Sequence, residues 1–406
     1  MIPRSAVMVA YTRYGGDARV RAYADWLLAE GWRVHILCLR EDGPAPPAGG
    51  ITLHRALLKY QGKSLLRYFL SYFLFCCWSF FLLSWLRLRG RCDIVHIHNL
   101  PNFIVFSALV PRLTGARVIL DFHDTMPELY SSKFSAGTDG RLYRMLIKEE
   151  AVSALMAHQL IASSEIHRRI FVQHGLPPER LSVVMNVANP ALFPRSFSPV
   201  PHREGEFRFI YHGTIAYRLG LDIALRAFAR ARSAEPSLRF SIIGDGDYLP
   251  DLLRLRDELS LNDSVTLSGR FLPLEDLASY IACAGAGVIA QREDPSCSFA
   301  LPGKLLEYAC MCKPCIVSRL PVTEFFFAED MVCFFEPGDV AGLTERMLSV
   351  SRDPAYREAL ARNISRFNDK YSWQSQREAY FDVLARCEDN ERLPSSPPLT
   401  PLRGKP

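Results

Sequence analysis

Short apolar, β-rich runs alternate with amphipathic helical stripes along nearly the whole chain, and this rhythm restricts the fold more than any other feature. Residues 6–11 form an apolar run, followed by a turn at Gly15-Gly16-Asp17. Val20, Tyr23, Ala24, Leu27 and Leu28 then recur at helical spacing until Gly31, and residues 34–39 form the next β-rich run. A strand, a helix and a strand joined this way make a parallel pair, because crossover connections are right-handed. The pattern repeats, with strands predicted at 93–98, 118–121, 159–162 and 181–185 and helices at 103–113, 141–156 and 165–174.

The rhythm lapses over residues 189–206, rich in Pro and Ser, and restarts with a strand at 207–211. Further strands are predicted at 238–243, 265–268, 287–289, 315–318 and 332–335, with helices between them. A chain of 406 residues is long for one core. The expected fold is α/β: two tandem Rossmann-like, doubly wound domains facing a cleft, residues 1–195 and 205–368. Residues 391–406 have no apolar period and are expected to be a disordered tail.

Composition removes some functions. The net charge of +5 is mild and spread out, with no basic run interleaved with aromatics, so no nucleic-acid partner is expected. The N-terminus lacks a long apolar stretch and a cleavage site, which predicts a cytoplasmic chain with its eleven cysteines reduced. Cys310, Cys312 and Cys315 suggest a metal, but they fall at a helix end and in the next strand and are expected to be core residues. Asp245-Gly246-Asp247 spells a D-x-D, yet it sits in a Gly turn, where turn chemistry explains it. Neither a metal nor a cofactor is expected.

Residues 68–86 run nineteen positions without a charge and are flanked by Arg67, Arg87 and Arg89. The length suits a bilayer span. A span would put two parts of one sheet on opposite sides of a membrane, so a helix lying at the membrane interface, facing an acceptor, or buried in the core are the alternatives.

Three stretches can carry chemistry. Residues 211–222 read as strand, Gly turn and helix start, where free N–H groups and the helix dipole favour an anion; Gly213, Thr214 and Arg218 lie here. The spacing is not G-x-G-x-x-G, which disfavours a nicotinamide cofactor. Residues 300–308 place Gly303 and Lys304 at a second helix start, with Glu307 in its first turn, a carboxylate in apolar surroundings suited to ribose hydroxyls. Each of these also has an ordinary reading, as a βα turn with a surface Arg and as a helix-dipole Glu. In the first half, His98-Asn99 and Asp121-Phe122-His123-Asp124 end two strands, and Gly16 follows strand one, where backbone can approach a ligand.

Taken in order, DARV at 17–20, DIVHIHNLPNF, VILDFHDTMPELY, HGTIAYRLGLDIALRAF, IIGDGDYL and LPGKLLEYACMCKPCIVSRLP resemble segments of glycosyltransferase family 4, retaining enzymes of GT-B fold. The resemblance covers roughly residues 5–385 and is nearest to bacterial polysaccharide-type enzymes. It implies that the second domain binds a nucleotide-sugar, with Glu307 on the ribose and Gly213, Thr214, Gly244, Gly303, Leu305, Arg218 and Lys304 around the donor. Gly16 would approach the phosphates and His123 the transferred sugar, with His98, Asn99 and Asp124 on the acceptor side. A closing helix at 373–385 would pack back on the first domain. Two departures stand out: Phe299 replaces the first of the family's usual glutamate pair, and Cys312 stands where Gly is usual.

The function expected from the resemblance is metal-independent transfer of a sugar, with retention, to a lipid-linked or polysaccharide acceptor in exopolysaccharide, capsule or O-antigen assembly. The enzyme would be cytoplasmic or at the cytoplasmic face of the inner membrane, touching it through residues 68–86. A sugar-nucleotide epimerase of the same fold and a catalytically silent nucleotide-sugar-binding scaffold are the alternatives.

Overall fold

A computed structural model describes residues 4–40, 49–56, 65–134, 140–195 and 205–388. The tail at 391–406 and residues 196–204 of the inter-domain stretch lie outside the described residues. Two compact units divide the chain: one gathers residues up to Pro127, Gly137–Met185 and the chain from Arg377, the other Asn186–Gln376 with the short piece Glu128–Ala136.

The first unit is built on a seven-stranded sheet of β1 (Ser5–Ala10), β2 (Arg33–Leu39), β3 (Ile51–Ala56), β4 (Ile94–His98), β5 (Arg117–Phe122), β6 (Gln159–Ala162) and β7 (Leu181–Val183). The spatial order is β3-β2-β1-β4-β5-β6-β7, every neighbouring pair is parallel, and the order reverses between β1 and β4. Sequence reading misses β3, whose residues are mostly half-buried and give no clear apolar alternation. It also predicts one helix over 103–113, where a 3₁₀ segment, Asn102–Ala108, precedes a short α-helix, Leu109–Leu113. Helices cover both faces of the sheet, as all-parallel sheets require.

The second unit has a six-stranded parallel sheet of β8 (Phe207–His212), β9 (Leu238–Ile243), β10 (Val265–Leu267), β11 (Ala286–Ile289), β12 (Cys315–Ser318) and β13 (Cys333–Phe335). The spatial order is β10-β9-β8-β11-β12-β13. Phe209, Phe228 and Phe240 anchor its core, each fully buried.

Both sheets switch direction beside their first strand, and in open α/β sheets ligands bind at the strands' carboxyl ends near such a point. The candidate residues follow from this: His98 and Asp121 end β4 and β5 in one unit, and His212 and Gly213 end β8 in the other.

Candidate active site

In the second unit, three side chains meet beyond the end of β8. Helix Gly303–Cys310 begins behind Pro302 and carries Lys304 and Glu307. These positions share a helix face, being three residues apart. Glu307 Oε2 lies 3.1 Å from Nε2 of His212, the last residue of β8. Neither atom is aligned for a hydrogen bond, and both are buried without a hydrogen-bond partner among the described residues. Burial holds the Glu307 carboxyl up at about 8, against the opposing pull of Lys304. Burial, with Lys304 adding to it, pushes His212 down to about 3, so its imidazole is neutral and the contact is not an ion pair. The Oε2 atom of this carboxyl group, held beside a neutral ring, lacks the partner that buried polar atoms ordinarily have.

The Lys304 ammonium stands 4.9 Å from the Tyr211 ring centroid and against Gly213, where an added Cβ would meet its Cε at 3.4 Å. Burial, opposed by Glu307, lowers its pKa to about 8. The Arg218 guanidinium makes no hydrogen bond or ion pair among the described residues, while its backbone carbonyl accepts from Arg292 N at 3.0 Å. It is close enough to add positive potential at Lys304 and Tyr211. Two cations beside a glycine turn and a helix N-terminus are an arrangement that favours an anion.

Two glycines are fixed by the backbone itself. Gly213 has φ +107°, and a Cβ on Gly244 would lie 1.8 Å from the Gly213 carbonyl oxygen. The turns after β8 and β9 are therefore pressed together, and Thr214 between them is exposed. Gly303 meets nothing within 4 Å, so the chain itself does not require glycine there. Leu305, a candidate donor contact, is fully buried and packs inward. The Asp245 carboxylate of the D-x-D accepts from Gly246 N at 2.8 Å, a local turn contact. Cys312 adopts φ +55° just past the helix end. Cys312 N donates to Ala309 O and Lys313 N to Tyr308 O, the paired bonds of a Schellman cap, which explains why glycine suits this position.

In the first unit, D-x-R-V acquires a physical meaning. Asp17 caps helix Ala18–Ala29 by accepting from Val20 N, and Val20 is buried. Arg19 forms a two-pronged ion pair with Asp121, Nε to Oδ2 at 2.8 Å and Nη2 to Oδ1 at 2.7 Å, and donates to Val184 O. This pair is nearly inaccessible to solvent. Burial opposes ionisation of Asp121, but Arg19 and His123 outweigh it and hold the carboxyl well below its usual range. Burial, only partly offset by Asp121, keeps His96 and His98 below the usual imidazole value.

His123 Nε2 lies 3.3 Å from Asp121 Oδ2 and 3.0 Å from His98 Nδ1. An ionised Asp121 favours the proton on the ring nitrogen that faces it. The His123 N–H donates to Asn99 Oδ1, and its carbonyl accepts from Ser163 Oγ. Asn99 Nδ2 donates to Asp124 O and Asn102 Oδ1. His98 and Asn99 are thus buried, with their contacts spent on holding the 121–124 segment, whereas the His123 side chain keeps 21% of its surface exposed. No Cβ contact limits Gly16, as at Gly303.

His96, His98 and Asp121 bring ligand-capable atoms within 4.8 Å of one another. Arg19 already takes both carboxylate oxygens, and a dication there would face a buried guanidinium, so the group reads as an ion-pair network. The sequence pattern contains Arg19, Asp121 and His212 but neither pairs the first two nor gives His212 a role. The signal available for the pair was one cation and one anion at facing positions of an apolar pattern.

The two parallel-sheet α/β units have the GT-B architecture found in solved glycosyltransferases. Residues 15–186 match the glycosyl transferase 4-like domain and residues 206–353 match glycosyl transferases group 1, so the chain carries both glycosyltransferase domains. Glycogen synthase of Mycobacterium tuberculosis is 25% identical over 311 residues, 75% of this chain and 71% of that protein. The gpi3 subunit of the phosphatidylinositol N-acetylglucosaminyltransferase of Schizosaccharomyces pombe is 24% identical over 185 residues, 45% of this chain and 38% of that protein. Anabaena HepE, solved in complex with UDP and glucose, superposes with a TM-score of 0.71 at 14% identity, covering 94% of this chain and 99% of that one.

Proposed function

We propose that this glycosyltransferase transfers a sugar from a nucleotide-sugar to a lipid-linked or polysaccharide acceptor, with retention of configuration and without a metal. The observation that carries the donor assignment is Glu307: its carboxyl oxygen Oε2 is buried with no hydrogen-bond partner among the described residues, three positions from Lys304 at a helix N-terminus. Ribose hydroxyls supply the missing donors. Lys304, Arg218 and the N–H groups after Pro302 and Gly213 stabilise the charge that builds on the departing diphosphate, a role in which single preorganised donors are worth about 3–4 kcal/mol. In the first domain, His123, fixed by Asp121 and Asn99, is the group we assign to the transferred sugar and its acceptor. With these cations in place, leaving-group stabilisation does not require a bound dication. A UDP donor is supported by HepE having been solved with that nucleotide, and a lipid acceptor by the phosphatidylinositol-modifying relative. Such chemistry would be cytoplasmic, at the inner face of the membrane, in the assembly of a surface polysaccharide.

Melting curves with UDP, GDP and ADP, free and as sugar conjugates, test this on wild type and Glu307→Ala. A ligand at a hundred times its Kd adds about 2.7 kcal/mol to the folded state. One nucleotide is expected to raise the wild-type Tm, with most of that rise lost in the variant. A melt unmoved by every nucleotide removes the donor assignment, and activity abolished by EDTA removes metal independence.

A further inference from the structure

Helix Leu65–Leu88 connects β3 to β4 and is apolar around its whole circumference. One stripe, Phe75, Ser79, Leu83 and Leu86, is fully buried against the sheet. On the opposite side Phe73, Phe81, Trp85 and Leu88 are exposed, Phe81 by 70% and Leu88 by 78%. A helix apolar all round is ordinarily covered all round. Here the described residues cover only one side.

The exposed apolar surface continues onto neighbouring elements. The segment Asn102–Leu113 packs against this helix and against helix Arg141–Leu155. It exposes Phe106, Leu109 and Leu113, the last by 76%. On helix Arg141–Leu155, Met145, Val152 and Leu155 are exposed in line with Arg141, Arg144 and Lys148, while its acids Glu149 and Glu150 are turned inward. Between residues 65 and 120 the only acid is Asp93, and its carboxylate accepts from Ser5 N. Arg89 sits 4.1 Å over the Trp85 ring at the helix end, a cation and an amphipathic ring of the kinds that favour a bilayer's headgroup level. The exposed face therefore offers apolar side chains and cations, with its acids withdrawn.

We propose that this three-segment face docks the protein on the surface of an anionic lipid bilayer, with helix Leu65–Leu88 lying along the interface. The apolar side chains enter the acyl boundary while the arginines and Lys148 meet lipid phosphates. Lying along the surface, not crossing it, follows from topology: the helix packs lengthwise on a sheet containing the strands at both its ends, so a span would carry that sheet into hydrocarbon. A second copy of the chain fits less well, because two such faces would oppose like charges.

The test is flotation of the full-length protein with vesicles of phosphatidylcholine alone or with phosphatidylglycerol, without nucleotide or sugar, so that its result is independent of the proposed transfer. Binding is expected to the anionic vesicles and to be weakened at least tenfold by Phe73→Asp with Phe81→Asp. The triple change Arg141→Glu, Arg144→Glu, Lys148→Glu is expected to weaken it similarly. All five positions are exposed, and wild-type melting temperatures check that the variants fold. Failure of wild type to float, or binding indifferent to both variants, overturns the proposal. A lipid-free dimer that the Phe variants dissolve overturns it in favour of a second copy. Retention in the membrane through carbonate extraction overturns the surface geometry.

Discussion

At Lys304, burial makes the protonation of an ordinary side chain sensitive to neighbouring charge. Its pKa, lowered to about 8 by burial, is free to rise again when a diphosphate supplies negative charge. The bound form then keeps a proton that the free form loses. Affinity is therefore flat below pH 8 and falls above it, by about tenfold for each pH unit. Titration calorimetry at pH 7, 8 and 9 is expected to show this slope in wild type and a weaker, flat profile in Lys304→Gln. A wild-type affinity unchanged between pH 7 and 9 would contradict Lys304 as a phosphate ligand. Asp121 presents the opposite case, a carboxylate whose task is structural. Asp121→Asn leaves Arg19 buried and unpaired, which costs about 3–5 kcal/mol in comparable pairs. Because the folded-state pKa of Asp121 is depressed, its contribution is present above the unfolded carboxylate value, about 4, and is lost only as pH falls through the folded one. Urea midpoints of wild type and variant at pH 7 are expected to differ by the amount stated. Equal midpoints would mean the ion pair is neutral to stability.

At the scale of elements, helix Leu65–Leu88 separates two kinds of apolar residue that composition cannot tell apart. Phe75 is fully buried and touches Tyr11 edge-on, with ring centroids 5.3 Å apart, whereas Phe73 points outward. Phe75→Ala is expected to cost about 3–5 kcal/mol. Phe73→Ala should stay within about 0.5 kcal/mol in lipid-free solution. Chemical denaturation of both variants distinguishes a helix buried on one side from one buried on all sides, which would make the two costs alike. The same contrast explains what could be read in advance. Alternating apolar periods identified most strands, and glycines with cations at helix starts marked Gly213, Lys304 and Glu307, because these signals are local. Whether His98 faces solvent or supports His123 depends on β4 and β5 lying side by side, with His98 paired to Asp121 across the sheet. The Arg19–Asp121 pair joins residues 102 positions apart, which no local window contains. Helix Leu65–Leu88 left several readings open for a related reason: its two faces have the same composition, and only packing decides which is covered.

On the whole-molecule scale, the first unit is completed by the end of the chain. Helix Trp373–Glu388 carries Tyr380, fully buried, its ring centroid 4.4 Å from that of Tyr23 and its hydroxyl 3.2 Å from His96 Nδ1. Arg377 pairs with Glu30, and Glu388 with Arg4. The tyrosine thus closes the back of the histidine–aspartate network, and a chain that has not yet presented residue 380 leaves Tyr23 and His96 uncovered. The second unit, from Asn186 to Gln376 apart from Glu128–Ala136, draws almost entirely on continuous sequence. Closing a contact across more than 350 residues costs loop entropy that local contacts avoid, so the first unit is expected to consolidate last. Truncation after Gln376 should lower the first unit's stability by at least roughly 3–5 kcal/mol, the amount typical of losing one buried aromatic, while the second unit's transition stays in place. Denaturation followed at Trp26 and Trp32, against nucleotide-dependent stabilisation of the second unit, reads the two separately. If both transitions move together the units do not unfold independently. If neither moves, the closing helix contributes no stability and His96 is held from the sheet side alone.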